Sequence, residues 1–304
     1  MAAQALIGGT SSVFIPALCA ISLGIGGPGI FDARQGRNQA FNSADNVMAA
    51  VSMGLLGYFV SDRNIFFFVI ALALPTILVL LMINPEEINY DLARGATRGE
   101  KGLQVESVRV LFRDHPLVIF LLRAVMFHFA SAAMLPLLGE LLAKGRGRSS
   151  MLFMSACVMT TQLVITFLAS WSGRKAGAWG RKPLLLIAFG VLPLRAVLHT
   201  LTSNSILLVA IQVSDGVGAG IFGVVSVLVI ADLTRGTGRF NLTLGAITTA
   251  VGIRAAVSQV SAGTIVRHLG DHAGFLFLGA VAAAALAILY FFLPETRSTQ
   301  PAQA

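Results

Sequence analysis

Apolar residues run through the chain in nine long blocks, at about 5–30, 41–60, 64–84, 116–141, 150–172, 183–202, 205–232, 241–266 and 273–293. These blocks approach the ~20 residues a helix needs to cross a bilayer, and they do not follow the two-residue alternation of barrel strands. The pattern predicts an all-α, polytopic helical membrane protein of about nine transmembrane helices. A single long polar connection, 85–115, divides the chain into a three-span bundle (1–84) and a six-span bundle (116–294), with a short tail at 295–304. Within that connection, EINYDLARGATRGEKGLQVES reads as a flexible bridge between two helical bundles, with a short surface helix followed by linker as the alternative.

Composition supports the same class. Apolar residues make up 56% of the 304 and charged residues 12%, with a mean hydropathy of +0.80. Soluble domains carry about a quarter charged residues, so a soluble fold would lack the polar surface to cover itself. The net charge of +8 is accounted for by loops. Fourteen of the Lys and Arg residues fall in one set of alternate connections and five in the other, which places the richer set in the cytoplasm. Nucleic acid is therefore not an expected partner. Residues 1–31 carry no basic leader region, the first charge being Asp32, so no cleavable signal is expected. Cys19 and Cys157 both lie in apolar blocks, which suggests neither a disulfide nor a metal site.

One stretch, SDGVGAGIFGVVSVLVIADLTRGTGRFN at 214–241, combines a span, an acid inside it and a mouth of Asp232, Arg235 and Arg239. About two hundred residues earlier, ISLGIGGPGIFDARQGRNQAFN closes another apolar block with Asp32, Gly36, Arg37, Phe41 and Asn42. The echo points to internal duplication. The glycines of GVGAGIFG follow no strand, and no GxxxxGK[ST] occurs, so nucleotide binding is not expected. Gly216 with Gly220, and Ala219 with Gly223, are small residues four apart that permit close helix packing.

Ionisable groups inside spans carry the functional information, because a charge at the bilayer centre costs from ~3 kcal/mol upward unless paired or hydrated. His128, Gln162, Arg195, Asp215 and Arg254 fall near mid-membrane. Asp215 and Arg254 are expected to form an ion pair, which either fastens two helices or opens to let Asp215 take up a proton. His128 has Arg123 one face away. Near the cytoplasmic turns, Asn42, Asp45, Asn46 and Asn241 are expected to be hydrated, or in the case of Asp45 hydrated or bonded to Arg34 or Arg37, with gating contacts as the alternative. There is no metal-spaced His and Cys cluster and no nucleophile with its base, so the sequence predicts neither an enzyme nor a cofactor.

Residues 173–182, GRKAGAWGRK, resemble the GxxxDRxGRR turn of the major facilitator superfamily of secondary transporters. Gly173, Gly180, Arg181 and Lys182 match; the family's Asp and Arg fall on Gly177 and Ala178, so the resemblance does not carry that pair. FDARQGRNQAFN looks like the family's fourth-to-fifth connection and ADLTRGTGRFN like the tenth-to-eleventh. On this register the nine spans correspond to helices four to twelve, with the first three missing, as in a fragment or a truncated product. The resemblance implies a multi-pass protein of the bacterial inner membrane that moves a small organic solute by alternating access. Proton-coupled efflux is the expected subtype, with lipid and protons as the other partners. Helices one, four, seven and ten line the family's cavity, which makes the seventh, with His128 and Arg123, a place for solute contacts. Together with the tenth-helix Asp215, the eleventh-helix Arg254 and the eighth-span Gln162, these residues are the candidates for solute or coupling roles. Gate roles fall to Gly173, Gly180, Arg181, Lys182, Arg37, Asn42, Asp45, Asn46, Asp232, Arg239 and Asn241. Arg195 lies on the peripheral ninth helix, where a structural partner is expected. Two alternatives are uptake of a sugar or organic anion, with Arg123, Arg254 and His128 as an anion site, and a non-transporting membrane protein.

Overall fold

A computed structural model describes residues 2–59, 62–96, 111, 114–144, 149–292 and 296. The tail at 295–304, apart from residue 296, and most of the 97–113 stretch lie outside the described residues. The described elements are helical. They are α1 (Ala2–Phe59), α2 (Asp62–Leu81), a 3-10 turn (Pro85–Glu87), α3 (Tyr90–Ala93), α4 (His115–Ala132) and α5 (Met134–Ala143). There follow α6 (Ser149–Trp179), α7 (Arg181–Leu201), α8 (Ser205–Leu233), α9 (Phe240–Leu269) and α10 (Asp271–Phe292). Among the described residues, seven helices are long and apolar enough to cross a membrane.

The count differs from nine because the first two predicted spans share one helix and the third is covered by a shorter apolar stretch, Ile70–Leu81. The 31–40 segment, expected as a turn, is helical. The break lies instead at Gly27, whose φ of +64° is open to glycine and strained for other residues, followed by Pro28, which fixes the start of the next arm. The bend is sharp. Asn38 Nδ2 donates to Ser22 Oγ at 2.9 Å, and Cys19 Sγ lies 3.8 Å from Gln35 Oε1. Sixteen residues along a straight helix would be separated by ~24 Å.

The predicted 116–141 span is likewise two helices, α4 and α5, because Pro136 lacks the N–H that would bond Ala132 and the helix yields at Ala133. Elsewhere the periodic blocks and the helices coincide to within a few residues, with α6 running one to two turns past its apolar block to Trp179.

Packing is closest where glycines remove side chains. A Cβ on Gly36 would stand 2.6 Å from the Ala169 carbonyl oxygen and 2.9 Å from Gly173 Cα, so α1 and α6 meet backbone to backbone. Gly216 faces Thr161 and Val164 of α6, and Gly220 faces Ile165. Gly218 points the other way, to Leu192 and Ala188 of α7. These contacts wedge α8 between α6 and α7. The centre of the bundle is aromatic. Phe127 of α4 stacks on Phe222 of α8 with centroids 4.0 Å apart, and Phe189 of α7 closes the group at 4.9 Å from Phe127.

Candidate functional site

Arg181 opens α7 directly after Gly180, whose φ of +89° lets the chain turn sharply out of α6. The turn delivers its guanidinium to two acids from distant parts of the chain. Nη1 and Nη2 donate to the two carboxylate oxygens of Asp32 at 2.6 and 3.0 Å, and Nε donates to Asp232 Oδ2 at 2.9 Å. Asp232 also accepts from Arg235 at 3.5 Å. Two carboxylates and two guanidiniums thus balance in charge, and Arg181 is 5% exposed. A fork-shaped bidentate contact plus a third bond is the geometry that makes a buried arginine tolerable. The cluster joins α1, α7 and α8.

A strap closes over it. Asn84 and Asn89 cap the 3-10 turn and α3, which organises residues 84–96 into a short compact segment. Its Asn89 N–H donates to the Gly24 carbonyl on α1 at 3.2 Å, and its Arg94 carbonyl accepts from Phe240 N–H at the start of α9 at 3.3 Å. Between strap, Asp32, Arg181 and Asp232 is a cavity of about 140 Å³, walled also by Phe31 and Ala231.

The remaining predicted gate residues fall around this end. Gly173 is the helix contact described above. Lys182 Nζ donates to the Tyr290 carbonyl at 3.1 Å and sits 5.9 Å from the Tyr290 ring. Arg239 caps α9 and is half-buried. Arg37 is exposed beside Arg34 and Arg174, lining a groove between α1 and α6. Asn42, Asp45 and Asn46 are exposed, and Asp45 makes no ion pair with Arg34 or Arg37. Asn241 buries its Oδ1 without a partner among the described residues.

Mid-membrane, the expected Asp215–Arg254 pair does not form. Asp215 binds Arg195 of α7, and its other oxygen accepts from Thr161 Oγ1 at 3.2 Å. Arg195 also donates to Gln212 Oε1 at 3.1 Å. The reason is the rotation of α8. With Gly216 seated on α6 and Gly218 on α7, the flanking Asp215 lies between those two helices and away from α9. Arg195 therefore has the structural partner expected of it.

Arg254 of α9 turns instead to α4, donating from Nη1 to the Ala124 carbonyl at 3.3 Å. Arg123 of α4 is fully buried, and its Nε, Nη1 and Nη2 have no hydrogen-bond partner among the described residues. His128 is half-buried, its ring edge-on to Phe222 at 5.0 Å. Gln162 Oε1 is buried without a partner among the described residues.

At the opposite end, Lys144 after α5 binds Asp271 at the start of α10 at 2.6 Å, with the lysine side chain 60% exposed. Sequence reasoning missed Asp32 as the partner of Arg181, and it missed Thr161, Gln212 and the strap. The echo between FDARQGR and ADLTRGTGR was the available signal, since its two acids, Asp32 and Asp232, converge on one guanidinium.

No protein-family model matches the chain. Two curated relatives, each described as an uncharacterized MFS-type transporter and coming from two strains of Mycobacterium tuberculosis, are 47% identical over 295 residues. Each alignment takes in 96% of this chain and 71% of the relative.

Proposed function

The chain belongs to the major facilitator superfamily, and from that premise we propose that it exports a small organic solute across the bacterial inner membrane by alternating access, in exchange for protons. Its membership makes it a multi-pass membrane protein and a secondary transporter. The export direction rests on the resemblance of its loop motifs to efflux-type permeases.

The observation that carries the mechanism is the Arg181 cluster. A single guanidinium holds α1 to α7 and α8 at the arginine-rich, cytoplasmic end. Moving α1 away from the other two requires breaking the Asp32 fork while Asp232 keeps the cation neutralised. The cluster is thus a latch whose closed form is the one described. Its two-acid design lowers the penalty of the open form, because Arg181 is never left without a counter-charge.

Proton coupling is assigned to Asp215. Its carboxylate is held by Arg195 and Thr161 inside the bundle, and the neighbouring titratable groups are His199 one turn along α7 and Cys157 on α6.

Thiol accessibility tests both parts. The Ala231→Cys variant places a thiol in the latch cavity, and labelling by a membrane-impermeant maleimide from the cytoplasmic side reports opening. Adding Arg181→Gln is expected to raise labelling at least tenfold; equal labelling with and without Arg181 would reject the latch. Asp215→Asn keeps a hydrogen-bonding side chain beside Arg195 and is expected to flatten the pH dependence of labelling. A pH profile that survives this change would remove Asp215 from coupling.

A further inference from the structure

Where α1 packs on α6, three arginines that the latch does not use come together. Arg34 and Arg37 of α1 and Arg174 of α6 line one groove of about 400 Å³, walled also by Ile30, Ala33 and Ser170. Ile30, Arg34, Arg37 and Phe41 recur every three or four residues along α1, as do Phe167, Ser170 and Arg174 along α6, so each set occupies one helix face. Arg37 and Arg174 are exposed and Arg34 is half-buried. Among the described residues no carboxylate comes within 4 Å of any of the three. Asp32, two residues before Arg34, is held by Arg181 instead, and Asp45, eight residues beyond Arg37, pairs with none of them.

The groove sits at the depth of lipid headgroups. The 31 residues of α6 extend about 46 Å against a hydrocarbon core of about 30 Å, so the helix continues beyond the core. Its apolar block ends near residue 172, and Arg174 follows in the part that runs on to the cytoplasmic end. Trp171 and Trp179, with ring centroids 5.4 Å apart, flank Arg174 in the chain, and tryptophan collects at membrane–water interfaces. Toward the core the same two faces turn apolar. Phe41, one turn beyond Arg37, is 69% exposed, and Phe167, two turns before Arg174, is 75% exposed. Leu163, a further turn along α6, is exposed as well.

A guanidinium is a planar fork of N–H donors that matches the oxygens of a phosphate. Basic pockets between membrane helices on the cytoplasmic side are where such forks meet anionic headgroups. We propose that Arg34, Arg37 and Arg174 bind the phosphate of an anionic phospholipid of the cytoplasmic leaflet, whose acyl chains lie over Phe41, Phe167 and Leu163. Soluble phosphates share the headgroup chemistry. The exposed apolar ridge on the core side of the cations is the feature that selects the lipid. Because both helices contribute arginines, a seated headgroup ties α1 to α6 beside the contact of Gly36 with Gly173. The site goes beyond the transport reading and stands independently of it.

Trp171 and Trp179 are the two tryptophans of the chain, so its tryptophan fluorescence reads the occupancy of the groove beside them. The test places the full chain in phosphatidylcholine nanodiscs and titrates in brominated phosphatidylglycerol or brominated phosphatidylcholine as quencher. The anionic lipid is expected to quench at a mole fraction roughly tenfold lower than the zwitterionic one. Arg37→Gln is expected to lose part of that preference, and Arg34→Gln with Arg37→Gln and Arg174→Gln all of it. Quenching by brominated phosphatidylcholine stays unchanged in both, which checks that they are folded and inserted. Arg94→Gln with Arg98→Gln and Lys101→Gln removes as many cations from the 85–115 connection and is expected to keep the preference. Equal quenching of the parent chain by the two lipids overturns the proposal. Equal loss in the two triple variants also overturns it, by assigning the preference to cytoplasmic charge in general. So does a preference abolished by inorganic phosphate but not by chloride of equal ionic strength, which would make the groove a site for soluble phosphate.

Discussion

Arg181 and Arg195 are buried against carboxylates, whereas Arg123 and Arg254 are equally buried with none against them among the described residues. The difference follows the helices that carry them. Arg181 and Arg195 are on α7, which is packed against α8, and α8 carries Asp215 and Asp232. Arg123 and Arg254 are on α4 and α9, whose described spans contain no acid at all, and Arg254 reaches across to the Ala124 carbonyl of α4. Fixed charge balance belongs to the α7–α8 side. On the α4–α9 side no carboxylate answers the two arginines among the described residues.

The contrast is broken most severely by Asp215→Leu. It strands Arg195, and loss of one partner of a buried pair costs about 3–5 kcal/mol. The expected result is a large fall in Tm in detergent, largely restored by the double replacement Arg195→Leu with Asp215→Leu. Arg123→Met carries the opposite sign. Removing an unpaired buried cation is expected to raise stability by about 1–3 kcal/mol in the absence of any anion, as judged from the desolvation of unbonded polar groups. A fall in Tm there would mean that Arg123 is already neutralised, and the contrast would dissolve. Asp232→Asn leaves the Asp32 fork intact, so its effect on unfolding is smaller, about 1.5–2 kcal/mol, the low end of the range for hydrogen bonds to charged groups. Smallest is Lys144→Gln, which removes an exposed pair worth about 0–1 kcal/mol and so measures the floor of the scale.

Much of this architecture was legible. The apolar blocks located the helices, and the small-residue spacing of Gly216 and Gly220 identified the face of α8 that meets α6. Gly180 and Arg181 were singled out by their place in the basic turn. What the blocks left open was helix rotation. Gly218, three residues after Asp215, lies on nearly the same face and abuts α7, so the glycine spacing held the information that sends Asp215 to Arg195. Depth along the membrane was used in its place, and depth alone pairs Asp215 equally well with Arg254. The first connection was misplaced for a related reason. Polar residues at 31–40 read as a turn, yet they are satisfied within a helix by Ser22, Cys19 and Arg181, and the true break needed only Gly27 and Pro28.

The latch also has an order of birth. Asp32 precedes Arg181 by 149 residues and Asp232 follows it by 51. At the ~5–20 residues per second of protein synthesis, Arg181 leaves the ribosome roughly 3–10 s before Asp232 does. During that interval Asp32 is the one of the two acids already synthesised. In the proposed latch, the acid that is released is therefore the one synthesised before the arginine, and the acid that keeps the arginine neutralised is synthesised after it.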